Sequence, residues 1–422
     1  MLKRLAILLR HHVRNGRASA ILLTLLIFCG ALFVVSAQQP PQQDKNKQRP
    51  RRVGASNTPA PTASTPPSSS NTDEGEEVGE GDVLRVETQL VSVPAVVYDQ
   101  TGRPLVSLRA ENFTLYEDER PQEISNFSTS EAPFEVALLL DTSGSTRADV
   151  ALIRRAANAF IEALRPGDRV AIVSFNTVPN NPARLAQVDV ETKLTSDRKI
   201  LRKAVEDIGS SNGTPFYDAL SRVAEDIFKE PPGKDVRGRR AVVALTDGVD
   251  SASNSDFAAA RNRLLRSGIA CYFVEINTED FVEDRLLKDC EDDGRLSLSR
   301  TQLERYRKIF LPHADADDYA DFCRIGPFER MQISRDLYNL ARREMNDLAR
   351  ISGGKTFIAG NLYDARNAFA QVAAEIGTQY SLGYYPSNKT RDGQFRKIRV
   401  EVRGVNTRTQ VRAREGYYAP KS

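Results

Sequence analysis

The sequence predicts an α/β fold: a doubly wound, mostly parallel sheet flanked by helices, with a β-sandwich-like module built from segments before and after it. Three observations carry this. Between residues 133 and 378, short and almost wholly apolar runs alternate with amphipathic helical patterns, as they do when a parallel sheet is covered on both faces. Runs with a period of two flank that stretch on either side. Several apolar runs end in Asp, Ser or Thr, at the strand ends where sheets of this kind bind ligands.

Taken in order, residues 1–37 read as targeting sequence. Lys3, Arg4, Arg10, Arg14 and Arg17 precede the apolar run 20–35, and Ser36-Ala37 offers the small residues of a cleavage site. The run is long for a signal peptide and short for a spanning helix, so the segment is either a signal peptide cleaved after Ala37 or an uncleaved signal anchor. In both cases the positive flank stays inside. The rest is then expected to be secreted, periplasmic or at the cell surface, touching a membrane only through that N-terminal helix. Cys29 follows bulky Phe28, which argues against a lipid anchor. Residues 38–82, dominated by Gln, Pro, Ser, Thr and Asn, cannot bury enough apolar surface to offset their chain entropy and are expected to be a disordered linker.

Residues 83–132 form the first β-segment. Val91, Val93, Ala95 and Val97 fall on one face of a strand, 99–102 makes a turn, and 113–117 and 124–127 follow as strands. Alone this module is thin for a core. The C-terminal segment 379–422 supplies what it lacks, with strands at 380–385, 396–403 and 407–414 around the polar loop 387–394. Both ends therefore read as one sandwich, with the central domain 133–378 inserted between them. In that domain strands are expected at 135–140, 170–175, 241–245, 269–276 and 356–359. Helices are expected at 150–164, 198–208, 216–228, 256–266, 334–351 and 362–376.

Composition removes several function classes. Lys+Arg 59 against Asp+Glu 56 leaves a net charge of +3, so nothing points to nucleic acid. With 3 histidines, and only His313 beyond the targeting segment, a Ser-His-Asp triad or a His-rich zinc site has little to be built from. Ser352-Gly-Gly-Lys355-Thr356 echoes a phosphate loop, but Ala349 stands where a glycine is required, and a strand follows it instead of a helix. Gly353-Gly354 reads better as a helix C-cap.

The chemistry gathers at strand ends. The first central strand runs into Asp141-Thr-Ser143-Gly-Ser145, Thr214 sits on a loop about seventy residues later, and the strand 241–245 runs into Thr246-Asp247-Gly248. Asp141, Ser143, Ser145, Thr214 and Asp247 together resemble the metal-ion-dependent adhesion site of von Willebrand factor A domains, and 83–418 resembles a secreted acidobacterial family of such proteins. The resemblance implies Mg²⁺, with Mn²⁺ or Ca²⁺ as substitutes. Ser143, Ser145 and Thr214 would coordinate through hydroxyls, and Asp141 and Asp247 partly through waters. It also implies a protein partner that presents an Asp or Glu carboxylate to the open coordination position, and no enzymatic activity. Two other readings stay open: a scaffold whose metal site binds no ligand, and a Mg²⁺-dependent phosphohydrolase with Asp141 as nucleophile. The second lacks its acid, since Ser143 stands two residues on. Asp250, Ser251 and Ser253 read as the start of the next helix.

Residues 278–333 form a long acidic insertion at the same sheet edge, expected to be either binding surface or a solvated face. Cys290 and Cys323 both lie in it and are expected to form a disulfide, whereas Cys271 reads as a buried apolar residue.

Overall fold

The computed structural model describes residues 90–129, 132–143, 150–178, 186–230, 239–287 and 298–421. The expected targeting segment and linker, Ser145, Cys290 and the acidic run 289–293 lie outside the described residues.

Four strands come first: β1 (Val91–Tyr98), β2 (Phe113–Glu117), β3 (Arg120–Gln122) and β4 (Ile124–Ser128). The central domain follows with β5 (Glu135–Leu140), α1 (Val150–Ala163), β6 (Arg169–Thr177), β7 (Ala186–Thr195), α2 (Arg198–Asp207), α3 (Phe216–Arg222) and β8 (Arg240–Thr246). It continues with α4 (Phe257–Arg266), β9 (Ala270–Ile276), α5 (Glu279–Leu286), α6 (Arg300–Phe310), α7 (Pro327–Ser352), β10 (Lys355–Ala359) and α8 (Ala365–Gly377). The last strands are β11 (Tyr380–Tyr384), β12 (Phe395–Val402), β13 (Gln410–Ala413) and β14 (Gly416–Tyr418).

The central sheet has the order β10-β9-β8-β5-β6-β7. All neighbours pair in parallel except β6 and β7. Every residue of β5 and β8 is buried, which is why both read as continuous apolar runs. Alternate strand residues face opposite helix layers. Val136, Leu138 and Leu140 pack with Phe160 of α1, Leu201 of α2 and Phe369 of α8. Ala137 and Leu139 pack with Leu220 of α3, Leu264 of α4 and Met345 of α7. Gly353 closes α7 at φ 85°, the left-handed cap expected of it.

The two chain ends meet as expected. One sheet has the order β13-β1-β11-β4 and the other β14-β12-β2-β3, so each mixes strands from before and after the central domain. Val91, Val93, Ala95 and Val97 share a core with Phe113, Leu115, Tyr380, Leu382 and Ile398. Arg414 ties the sandwich to the central domain. It is buried, and its guanidinium donates to the carbonyls of Ser92, Gly416 and, at the end of α4, Leu265.

Three strands, the two insertion helices α5 and α6, and one helix start depart from expectation. β7 carries Val188 as its one buried residue, so this antiparallel edge strand lacks an apolar run. β3 and β14 are three residues each, too short to show a period. α7 begins at Pro327 rather than at 334, with proline in the first turn, where its missing N–H costs nothing. The added turns give the insertion a core of its own: Ile333 and Leu337 of α7 pack against Leu286, Leu303, Tyr306 and Phe322. Two of its acidic residues pair with α7, Glu279 with Arg342 at 2.7 Å and Glu283 with Arg335 at 2.6 Å, whereas Asp315, Asp317, Asp318 and Asp321 are exposed. Cys323 is disulfide-bonded, and Cys271 is free and buried.

Candidate metal centre

Parallel pairing sets Leu140 opposite Leu245, so the chain leaves β5 and β8 side by side. The Asp141 N–H donates to the Leu245 carbonyl at 3.0 Å, which seats Asp141 against Thr246 and Asp247. Asp141 Oδ1 accepts from Ser143 N at 3.0 Å, and Oδ2 accepts from Thr246 Oγ1 at 2.6 Å. Gly248 turns the chain at φ 75°, and its N–H donates to Thr246 Oγ1 at 2.9 Å. Asp247 Oδ1 accepts from Val249 N at 3.0 Å, and Oδ2 accepts from Thr278 Oγ1 at 2.5 Å.

Thr214 joins through its backbone. Its N–H donates to Ser251 Oγ at 2.8 Å, and Ser251 N donates back to its carbonyl at 3.0 Å. Ser211 N donates to the Thr142 carbonyl at 2.9 Å, binding the threonine loop to the loop after β5. Here the structure corrects one expectation. Asp250, Ser251 and Ser253 do not start the next helix, which Asp256 caps. Asp250 instead accepts from Tyr217 N at 3.1 Å, and Ser253 Oγ accepts from Asp218 N at 3.0 Å, so both serve the first turn of α3. The local sequence shows good capping residues without showing which helix they cap.

Asp141, Ser143, Asp247 and Thr214 are 0%, 3%, 4% and 6% exposed. Burial, and next the charge of Asp247, push the Asp141 carboxyl up, against the hydrogen bonds from Ser143 and Thr246. Burial likewise raises Asp250, to about 6. Among the described residues no three His, Cys, Asp or Glu side chains group as a metal site. The geometry offers something else: two mutually repelling buried carboxylates with hydroxyls beside them. That all-oxygen set, with two carboxylates, suits a hard divalent ion such as Mg²⁺, whose charge would relieve the repulsion. The sequence places Thr246 in the site motif and Ser251 at a helix start without showing that they hold the ligand candidates, and it gives no sign of Thr278 or of Tyr338, whose hydroxyl lies 2.7 Å from Thr278 Oγ1.

Comparison with known proteins bears on the central domain. Residues 135–297 match the family profile of the von Willebrand factor type A domain, and the six-stranded sheet with helices on both faces has that fold. Such domains commonly bind divalent metals and protein ligands and are generally not enzymes. Similar solved structures include proximal thread matrix protein 1 from the mussel byssus, at 12% identity and TM-score 0.36. That match covers 57% of this chain and 47% of that one, so the chain spans about half of its length. A von Willebrand factor type A protein from Catenulispora acidiphila matches at 12% identity and TM-score 0.38, covering 80% of this chain and 75% of that one. The three N-terminal domains of a type V pili tip protein from Porphyromonas gingivalis match at 16% identity and TM-score 0.23, covering 39% and 28%. A search of curated proteins found no match.

Proposed function

We propose that the chain, whose centre is a von Willebrand factor type A domain, is an extracytoplasmic binding protein that grips an acidic residue of a protein partner through Mg²⁺. The observation that carries this is the buried pair Asp141 and Asp247 at adjacent strand ends, each charge disfavouring the other, with Ser143 alongside and the Thr214 loop hydrogen-bonded to the chain just beyond each, at Thr142 and Ser251. Ser143, Ser145 and Thr214 would hold the ion directly, with Asp141 and Asp247 partly through waters. When bound, the ion supplies an electron-poor position that an incoming carboxylate can fill. The chain's own part is to fix the two carboxylates by the hydrogen bonds from Ser143, Thr246, Val249 and Thr278. Mn²⁺ would substitute for Mg²⁺.

The burial of all four described residues also favours a second reading, in which the ion only steadies the fold. Peptide binding separates the two. The full chain, immobilised, is offered a peptide pool containing Asp and Glu in Mg²⁺ and in EDTA, beside the Thr214→Ala variant. Metal-dependent capture that the variant loses supports the adhesion reading. Metal uptake without any capture of acidic peptide supports the scaffold.

A further inference from the structure

Asp247 is held from the far side of the site by a segment outside the five residues discussed so far. Thr278, buried at the junction of β9 and α5, donates from Oγ1 to Asp247 Oδ2 at 2.5 Å. The same Oγ1 lies 2.7 Å from the hydroxyl of Tyr338 on α7, which is 4% exposed. A threonine hydroxyl has one proton, and an ionised carboxylate only accepts. The direction of the chain is therefore fixed: Tyr338 donates to Thr278, and Thr278 donates to Asp247.

The threonine itself is clamped. Arg342, one turn along α7 from Tyr338, pairs with Glu275 at 3.2 Å and Glu279 at 2.7 Å, on either side of Thr278 in the chain. The insertion also reaches the threonine loop, where Ser299 Oγ donates to the Ser251 carbonyl at 2.7 Å. Ser251 in turn holds Thr214 by two hydrogen bonds.

We propose that Thr278 and Tyr338 are positioning residues of the metal centre, forming a hydroxyl chain that fixes the Asp247 carboxylate and makes metal affinity depend on how α7 is seated. This rests on the metal-binding reading above. Val249 N on Oδ1 and Thr278 on Oδ2 set the orientation of the Asp247 carboxylate before the ion arrives. Removing the Thr278 hydroxyl takes away the bond that holds Oδ2 and places a methyl group against a charged oxygen.

The test titrates Mn²⁺ into the full chain and reads free Mn²⁺ by electron paramagnetic resonance, for wild type, Thr278→Val, Thr278→Ser and Tyr338→Phe. Metal-free melting temperatures are recorded alongside. Loss of an outer-shell partner typically weakens binding by about 10–100-fold. Thr278→Val is expected at about tenfold or more and Tyr338→Phe at several-fold, with Thr278→Ser near wild type. A folded Thr278→Val that binds as wild type does, or Thr278→Ser binding as weakly as Thr278→Val, overturns the proposal. Should Thr278→Val not fold, Tyr338→Phe decides alone, and unchanged affinity there refutes the chain. A wild type that takes up no Mn²⁺ overturns the functional reading and this role with it, an outcome distinct from unchanged variants of a binding wild type.

Discussion

In the metal-free protein, Asp141→Asn should stabilise the fold at pH 8, although it removes a charge from the heart of the site. Burial and the neighbouring Asp247 move Asp141 from its ordinary 3.8 to about 7. Each tenfold in that proton equilibrium is worth about 1.4 kcal/mol, so the ionised carboxylate costs the native state on the order of a few kcal/mol relative to the unfolded chain. The sign follows from proton counts. Between pH 3.8 and about 7 the native chain holds a proton here that the unfolded chain has lost, so stability falls as pH rises through that window and stays low above it. Asparagine keeps an oxygen for Ser143 N, but its amide faces Thr246 Oγ1 as a donor, so the Thr246 hydroxyl proton loses the acceptor it had in Asp141 Oδ2. That lost bond returns about 1–2 kcal/mol, leaving a net stabilisation at pH 8. The gain should appear as a higher melting temperature at pH 8 and should vanish or reverse near pH 4. The assay is thermal melting in metal-stripped buffer from pH 4 to 8. A variant that melts at or below wild type at pH 8, or differs from it equally at every pH, refutes the electrostatic argument.

Other substitutions probe the frame around the site. A Cβ at Gly354 would lie 1.9 Å from the Cys271 carbonyl oxygen, a backbone atom that cannot step aside, so Gly354→Ala should yield no soluble folded protein on expression. At Gly248 the obstacle is the flexible end of Met345, at 2.7 Å, together with a φ of 75°. Gly248→Ala should cost about 1–3 kcal/mol by urea denaturation, and adding Met345→Ala should not restore the backbone part. Arg414→Met leaves the Ser92, Gly416 and Leu265 carbonyls without their buried donor. It should lower stability by about 3 kcal/mol, seen as an earlier urea midpoint, whereas the exposed control Lys389→Met should leave the midpoint unchanged.

The parts of this fold that depend on burial were readable in the chain. β5 and β8 sit at the middle of the sheet with both faces covered, so six and seven consecutive residues had to be compatible with burial, and the pattern announces itself. β1 shows its period because Val91, Val93, Ala95 and Val97 face the sandwich core. β7 faces less of the core and left no comparable trace. For the insertion, Ser299 and Gln302 form a capping box at the start of α6, and Gly326-Pro327 opens α7. Both signals stand in the sequence and were outweighed by the acidic run. At the site, Asp141 takes hydrogen bonds from Ser143 and Thr246 beside Asp247, and the Thr214 loop is tied to Ser251 and Thr142. Thr278 and Tyr338 were not legible. Nothing in a threonine after Asn277, or in a tyrosine sixty residues later on a helix, says that the two meet at a carboxylate.

The most direct measurement is calorimetric titration of Mg²⁺ into the full chain and into Asp141→Ala and Thr214→Ala. The account predicts one ion per wild-type chain, none in Asp141→Ala, and weakened uptake in Thr214→Ala. A wild-type protein that stays folded and shows no binding up to millimolar Mg²⁺ or Mn²⁺ would contradict it, leaving the aspartates as turn-forming residues alone.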